Sequence, residues 1–449
     1  MGKVKIFFFI LLALLVKMTF PRIPCLPADS LTTSLSGEPD TSYQIQDSVS
    51  KSDTCRQQDL LGLIFKKRTF DTEIHARRFS AIIIPLIGLS PSTGFSIGGG
   101  SSLSWRFGRY PETKLSAGVA SIMVTTKKQL IFQFKTNVYL SRNKWFFQND
   151  WRVYLYRTPA FGLGTGPSDN IPEIPGDPSE IVNTVALQGR YPMQFNWIKF
   201  HNIMSRAITE HCFVGLGYHL DYHFDIDDQE LVTDSVGYRP TPHYAYCRLH
   251  GFDNIRYLSS GMSLNFVFDS RDNLINAYKG FYINVNYRYN AKILGSSSNG
   301  SRLWTDFRTY VGLSKKIPRH VLAFWVYGSF MVSGHIPYLE LMSNGFDQMN
   351  SSGRGYEQGR WRGENLVYGE VEYRFPISPC SGIIGGVLFA NVITASNHDM
   401  GIPLFGFFKP GAGFGVRIML SKEDRTNLLI DFGLGQQSQG FYLRAQEIF

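Results

Sequence analysis

Past Val16 the sequence holds no apolar run near the roughly 20 residues that a membrane-crossing helix needs, which excludes a helical membrane protein. Cysteine is scarce: the five are Cys25, Cys55, Cys212, Cys247 and Cys380. They are scattered, with no CxxC pair and no histidine at ligand spacing, which argues against both a zinc site and a disulfide framework. No nucleic-acid recognition module occurs, and the net charge of +9 is spread along the chain instead of gathered in a tail. Nucleic acid is therefore not an expected partner. Glycine (43 residues), phenylalanine (35) and tyrosine (23) are abundant, and aromatics reach 14 %. Mean hydropathy is close to zero at −0.11, the average that strands with alternating polar and apolar residues produce.

The N-terminus reads as a targeting segment. Lys3 and Lys5 precede the apolar run Ile6 to Val16, Lys17 ends it, and Leu26-Pro27-Ala28 offers a cleavage site before Asp29. Pro24 stands where a lipidation motif at Cys25 needs a small residue. The expected organisation is a signal peptide over 1–28, a disordered or extended lead-in over 29–78, and a single barrel domain over 79–449. The lead-in is polar at first and then basic, with Lys66, Lys67, Arg68, Arg77 and Arg78. It leads to Ile82-Ile83-Ile84-Pro85-Leu86-Ile87, an apolar run expected to lie at the membrane surface or plug the barrel mouth.

From Gly94 a period of two recurs almost to the end. Phe132, Phe134, Val138 and Leu140 alternate with Gln133, Lys135, Asn137 and Tyr139; Val214, Leu216, Tyr218 and Leu220 alternate with Gly215, Gly217, His219 and Asp221. Phe281, Ile283, Val285, Tyr287 and Tyr289 oppose Tyr282, Asn284, Asn286, Arg288 and Asn290. Ala412, Phe414, Val416 and Ile418 oppose Gly413, Gly415 and Arg417, and Leu428, Ile430, Phe432 and Leu434 oppose Asp431. The segment Gly440 to Phe449 reads as a terminal strand. Such a chain fits an all-β, transmembrane antiparallel barrel of about 16 strands of the outer-membrane type.

The most informative stretch is Gly353-Arg354-Gly355-Tyr356-Glu357-Gln358-Gly359-Arg360 and the strand behind it. Tyr368, Glu370, Glu372 and Arg374 share one face of that strand, and Val367, Val371, Tyr373 and Phe375 share the other. Ions on one side and hydrocarbon on the other suit a polar lumen inside a lipid-facing wall. These residues resemble the bacterial surface antigen and outer-membrane assembly-factor superfamily, the BamA/TamA-like barrels, whose sixth loop carries an Arg-Gly-Tyr or Arg-Gly-Phe tip. Asp269-Ser270-Arg271-Asp272-Asn273 before Gly280 is a second family-like string, with Ala277 where proline is usual, and Ser90-Pro91-Ser92-Thr93-Gly94 a third.

The resemblance implies a bacterial outer-membrane protein that inserts other outer-membrane proteins or moves protein or lipid across that membrane. The alternative is a passive pore or structural surface barrel without insertase activity. Implied partners are outer-membrane lipids and lipopolysaccharide, unfolded outer-membrane protein clients, and accessory subunits or further copies of the chain. The polar segment ahead of the barrel leaves no room for the POTRA domains that assembly factors carry there. In the family the loop arginine is held by acidic residues of neighbouring strands. Here Arg354, Gly355 and Tyr356 form the tip, and Glu370, Glu372 and Asp431 are its candidate acidic partners. A weak seam is expected between the first strand, Phe95 to Trp105, and the last, Phe441 to Phe449, loosened by Gly98, Gly99 and Gly100.

Other patterns read as structure. Gly94-Phe95-Ser96-Ile97-Gly98 satisfies the nucleophile-elbow spacing but runs into a strand without a helix, so no enzyme is expected. Gly411-Ala412-Gly413-Phe414-Gly415 lacks the βαβ context of a dinucleotide site. His219, Asp221 and His223 share a strand face that runs into acidic Asp225, Asp227, Asp228 and Glu230. No glycine turns a calcium loop there, so no metal and no cofactor is expected. Tyr282, Tyr287 and Tyr289 suit an aromatic girdle at the membrane interface.

Overall fold

The computed structural model describes Leu60 and residues 79–449, apart from 109–111, 168–170, 172–173, 175–188, 235–237, 315–318, 379–380, 423–424 and 446. The signal and lead-in segments, Leu60 excepted, lie outside the described residues, as do Cys25, Cys55 and Cys380. The chain begins its sheet with β1 (Phe79–Ser90), β2 (Gly94–Trp105), β3 (Ser116–Thr125), β4 (Leu130–Tyr139), β5 (Trp145–Ala160) and β6 (Tyr191–Ala207). It continues with β7 (Cys212–Asp228), β8 (Tyr257–Asp269), β9 (Gly280–Asn290), β10 (Gly300–Gly312) and β11 (Val321–Gly334). After a separate two-residue ladder of β12 (Met342–Ser343) and β13 (Arg362–Gly363) come β14 (Asn365–Pro376), β15 (Ile384–Ala395), β16 (Lys409–Ser421), β17 (Thr426–Gly435) and β18 (Ser438–Ala445). The sixteen long strands form one sheet in which each pairs with its neighbour in sequence. The wall is an up-and-down antiparallel barrel.

Its connections alternate between two ends. One end carries segments of ten residues or fewer, such as 140–144, 208–211 and 422–425; the other carries the long loops 161–190, 229–256, 335–364 and 396–408 beside short turns such as 91–93 and 436–437. The 229–256 loop contains a helix, α1 (Pro242–His250). Thr241 starts it by accepting the Tyr244 N–H at 3.1 Å, proline occupies its first turn, and Gly251 ends it in the left-handed conformation.

The period of two read from the sequence separates two environments. Toward the axis lie buried Arg152, Arg288, Arg308, Glu370, Glu372, Arg417 and Asp431. Outward, Ile97, Ile122, Leu216, Leu264, Leu388, Phe414 and Leu434 are each more than half exposed. An ionic inside and a continuous hydrocarbon outside invert a soluble protein and match a wall surrounded by lipid. Among the described residues no helix is long and apolar enough to cross a membrane; the strands do so.

Three expectations need correction. The first barrel strand is β1, and it contains the run Ile82 to Ile87, which the sequence places at the membrane surface or in the barrel mouth. Its alternation is masked because both faces are apolar, and Pro85 is tolerated because an edge strand need not donate on both sides. Phe95, Gly98, Gly99 and Gly100 therefore sit in β2, paired with β1 on one side and β3 on the other, and are not at the seam. The terminal strand ends at Ala445, and Phe449 leaves the wall to pack inside, its ring centroid 5.3 Å from that of Trp325. Tyr282 faces the lumen, with the Arg271 guanidinium 4.5 Å from its ring centroid, whereas Tyr287 and Tyr289 point outward.

The seam itself lies between β1 and β18. The two strands are adjacent, but no ladder joins them among the described residues. Phe441 does lie on this last strand.

Candidate functional site

The loop after β11 folds into the barrel and crosses it. Against one wall, Lys135 donates to the Gln348 carbonyl at 2.9 Å, Arg152 reaches the Asn350 side chain at 2.5 Å, and Tyr156 donates to Gln358 at 2.6 Å. Against the other wall the tip of the loop is seated on β14 to β18.

Arg354 is at the centre of that seat and only 1 % exposed. Strand β14 presents Glu370 and Glu372 on its lumenal face because residues two apart share a face. Strand β17 presents Asp431 from three strands away. The Arg354 guanidinium donates to Glu370 at 2.6 Å, to Asp431 at 2.8 Å and to Glu372. All three acidic candidates meet the one arginine. A planar fork reaches carboxylates on separate strands in a way that a single ammonium does not.

Residues that the sequence reading did not single out complete the seat. Phe389 of β15 lies beneath the guanidinium with its ring centroid 3.5 Å from Cζ, and Asn391 donates to the Arg354 carbonyl at 3.0 Å. Tyr442 of β18 accepts the Gly355 N–H at 3.0 Å, and the Tyr356 hydroxyl donates to the Pro410 carbonyl. Gly355 adopts φ +103°, and a Cβ there would stand 2.6 Å from the Leu434 backbone. The wall opposite is built from glycine for the same reason. A Cβ on Gly433 would lie 2.7 Å from the Gly355 nitrogen, and one on Gly435 2.6 Å from the Tyr356 ring. Of the glycine string 411–415, Gly411 faces the Arg354 carbonyl, whereas Gly413 leaves room for the Phe389 ring and Gly415 for the Asp431 carboxylate.

The ionic network extends toward the C-terminus. Glu372 also holds Arg374 at 2.6 Å, and Arg417 bridges Asp431 to Glu447. Arg374 donates to the Phe449 main-chain oxygen at 3.1 Å, and Ser351 of the loop to the Ile448 carbonyl at 3.1 Å. The end of the chain is thereby tied to the same latch that holds the loop.

The remaining sequence candidates pair with neighbouring side chains and main chain. His201 and Arg288 both contact Asp221 at 2.6 Å, and His223 faces Glu340 at 3.2 Å. In the 269–273 string Asp269 accepts from Arg271, Asp272 from the Tyr278 N–H and Asn273 from the Ile275 N–H, which fixes the β8–β9 turn. Ser96 of the elbow-like pattern sits within β2. One constellation with catalytic spacing appears only in three dimensions: His243 lies 2.7 Å from Asp228 and 3.4 Å from the Cys247 sulfur. Cys247 has no exposed surface.

Residues 209–438, more than half of the chain, match the Omp85 superfamily domain. The chain belongs to the Omp85 superfamily, whose barrels are outer-membrane proteins of Gram-negative bacteria. Its fold is similar to that of BamA from Haemophilus ducreyi lacking POTRA domains 1–3, at 13 % identity and a TM-score of 0.50, over 82 % of this chain and 70 % of that one. CdiB from Acinetobacter baumannii is also similar, at 13 % identity and a TM-score of 0.48 over 82 % of this chain and 60 % of that one. CdiB from Escherichia coli gives 12 %, 0.47, 82 % and 62 %. The Omp85 chain thus spans less than two thirds of either CdiB. No curated protein matches by sequence.

Proposed function

We propose that this Omp85 barrel inserts outer-membrane proteins, or moves protein or lipid across the outer membrane, by parting β1 from β18. The observation that carries this reading is the seam: two adjacent strands without a ladder in a wall that is otherwise paired throughout its described length. Backbone groups left unpaired in lipid cost several kcal/mol each, so such an edge is a ready template for an incoming strand. The latch supports the division of labour. Tyr442 and Arg444 of β18 and Asp431 of β17 are held from inside by the loop, while among the described residues β1 has a ladder to β2 alone. The loop also spans the lumen from wall to wall, which favours this reading over a passive pore. The role is non-catalytic, and the clients are unfolded barrel chains, alone or with accessory subunits.

The test is depletion of the protein followed by mass-spectrometric quantification of the other outer-membrane barrels, with complementation by wild type and by the pair Leu89→Cys with Leu443→Cys. Both positions face outward, Leu443 being opposite in parity to the lumenal Tyr442, and they lie across the seam from each other: a Cβ on the adjacent Gly88 would stand 4.0 Å from the Leu443 carbonyl oxygen. Loss of barrels restored by wild type, and by the cysteine pair only under reducing conditions, is expected. An unchanged proteome would move the assignment to a pore or surface structural barrel. Full rescue by the oxidised, cross-linked pair would remove lateral opening from the mechanism.

A further inference from the structure

Three loop-end segments, far apart in sequence, bring together His250, Glu364 and Asp399. His250 is the last residue of α1, Glu364 separates β13 from β14, and Asp399 lies in the β15–β16 connection. One ligand-type atom of each lies within 4.8 Å of the other two. His250 Nε2 and Asp399 Oδ2 are already 3.0 Å apart. Glu364 is 5 % exposed. Its Oε2 accepts the His398 N–H at 2.8 Å, whereas its Oε1 is buried without a hydrogen-bond partner. A carboxylate oxygen taken out of water and left unpaired is costly, and a cation removes that cost. Two more imidazoles stand close: the His335 ring stacks on His250 with centroids 4.1 Å apart, and His398 adjoins Asp399.

We propose that His250, Glu364 and Asp399 bind a divalent transition-metal ion, zinc, at the loop end of the barrel. An imidazole with two carboxylates is a nitrogen and oxygen donor set of the kind zinc takes at about 2.0–2.2 Å. Calcium and magnesium take oxygen donors and gain little from the histidine. His398 and Asp399 are exposed, so the ion reaches the site from the loop side. Bound there, it ties α1, the β15–β16 loop and the outer root of the loop that carries Arg354, since Glu364 immediately precedes β14. The site lies outside the lumenal latch, and the proposal does not depend on the insertase reading.

The experiment is calorimetric titration of the untagged full chain, folded in detergent and stripped with chelator, with zinc, calcium and magnesium chlorides. About one equivalent of zinc is expected, bound at least roughly 100-fold more tightly than calcium. Zinc should also raise the unfolding temperature. Asp399→Asn and His250→Gln, both at the loop end and outside the wall, should abolish that equivalent and the thermal shift, and Glu364→Gln should do the same. Absence of a zinc equivalent in the wild type would overturn the site. So would zinc binding that survives unchanged in Asp399→Asn and His250→Gln, since it would then belong to other histidines.

Discussion

Removing the Arg354 side chain tests the latch directly. The guanidinium is buried against Glu370, Glu372 and Asp431. In Arg354→Ala the surrounding cluster keeps Arg374 against Glu372 and Arg417 against Glu372, Asp431 and Glu447, while Glu370 loses the guanidinium it pairs with. Deleting one partner of a buried ion cluster costs about 3–5 kcal/mol, because the charges left behind have lost their water as well as their partner. The carboxylates regain water only when the loop lifts away, so most of that cost should appear as easier loop opening. At a factor of ten per 1.4 kcal/mol this raises the open population roughly 10²- to 10³-fold. The backbone anchors limit it, since the Gly355 N–H on Tyr442 and the Tyr356 hydroxyl on Pro410 remain, each worth about 1 kcal/mol. Hydrogen exchange on peptides covering 350–362, in detergent or nanodiscs, reads the opening. Arg354→Lys should be intermediate, because one ammonium does not span carboxylates on β14 and β17. Unchanged protection in a folded Arg354→Ala barrel would refute the latch.

The glycine cradle predicts that Gly433→Ala loosens the same peptides, because its Cβ would stand 2.7 Å from the Gly355 nitrogen. Gly99→Ala, with nothing within 4 Å, should leave them unchanged; equal behaviour of the two variants would count against a close-fitting seat. On the outer face, Leu264→Arg places charge at a side chain 61 % exposed in the middle of β8. Folding into bilayers should be destabilised by about 2–4 kcal/mol if the site is near the midplane, whereas Ile293→Arg in a loop should be neutral; matching stabilities would contradict the lipid-facing assignment. His243 in α1 is buried, which disfavours its charged form, but Cys247 and Asp228 outweigh this and raise it to about 10. A raised pKa contributes stability that is fully present below the free imidazole value of 6.5 and is lost as pH rises through about 10. Proteolysis of the α1 loop should therefore accelerate between pH 6.5 and about 10 in wild type but show no such step in His243→Gln; identical profiles would exclude the pair as its cause.

Much of this architecture was legible because a period of two is a local property. In β7, β9, β14, β16 and β17 the residues read as sharing a face do share one. Arg354 and its acidic neighbours were legible because the loop string resembles a known family, and because Glu370 and Glu372 lie two apart. That Asp431 and both glutamates meet the arginine together depends on strand stagger, which no local pattern encodes. The first strand was missed where Pro85 and apolar residues on both faces hide the alternation. The metal cluster was invisible for a different reason: His250, Glu364 and Asp399 are more than 30 residues apart in the chain, so ligand spacing cannot reveal them. The glycines of β16 and β17 did carry a signal, since they alternate with outward Ala412, Phe414, Phe432 and Leu434. Gly411, Gly433 and Gly435 among them take their meaning only from the loop laid on top of them.

A lumen filled with ion pairs is a poor source of stability, because desolvation consumes most of the Coulombic gain. Its value here lies in what it forbids. A register slip of one residue in β14 would turn Glu370, Glu372 and Arg374 toward lipid and leave Arg354 and Arg417 facing hydrocarbon. The same argument applies to β17, where a slip would carry Asp431 out of the lumen. The network therefore fixes the register of the strands nearest the C-terminal side of the seam, and it extends through Glu447 and the Phe449 main-chain oxygen to the end of the chain. Strand β1 contributes no charged side chain to it and, among the described residues, has its ladder with β2 alone. One side of the seam is thus specified by buried electrostatics and the other by a single ladder, so an opening of the wall at this point would move β1 and leave β18 in place.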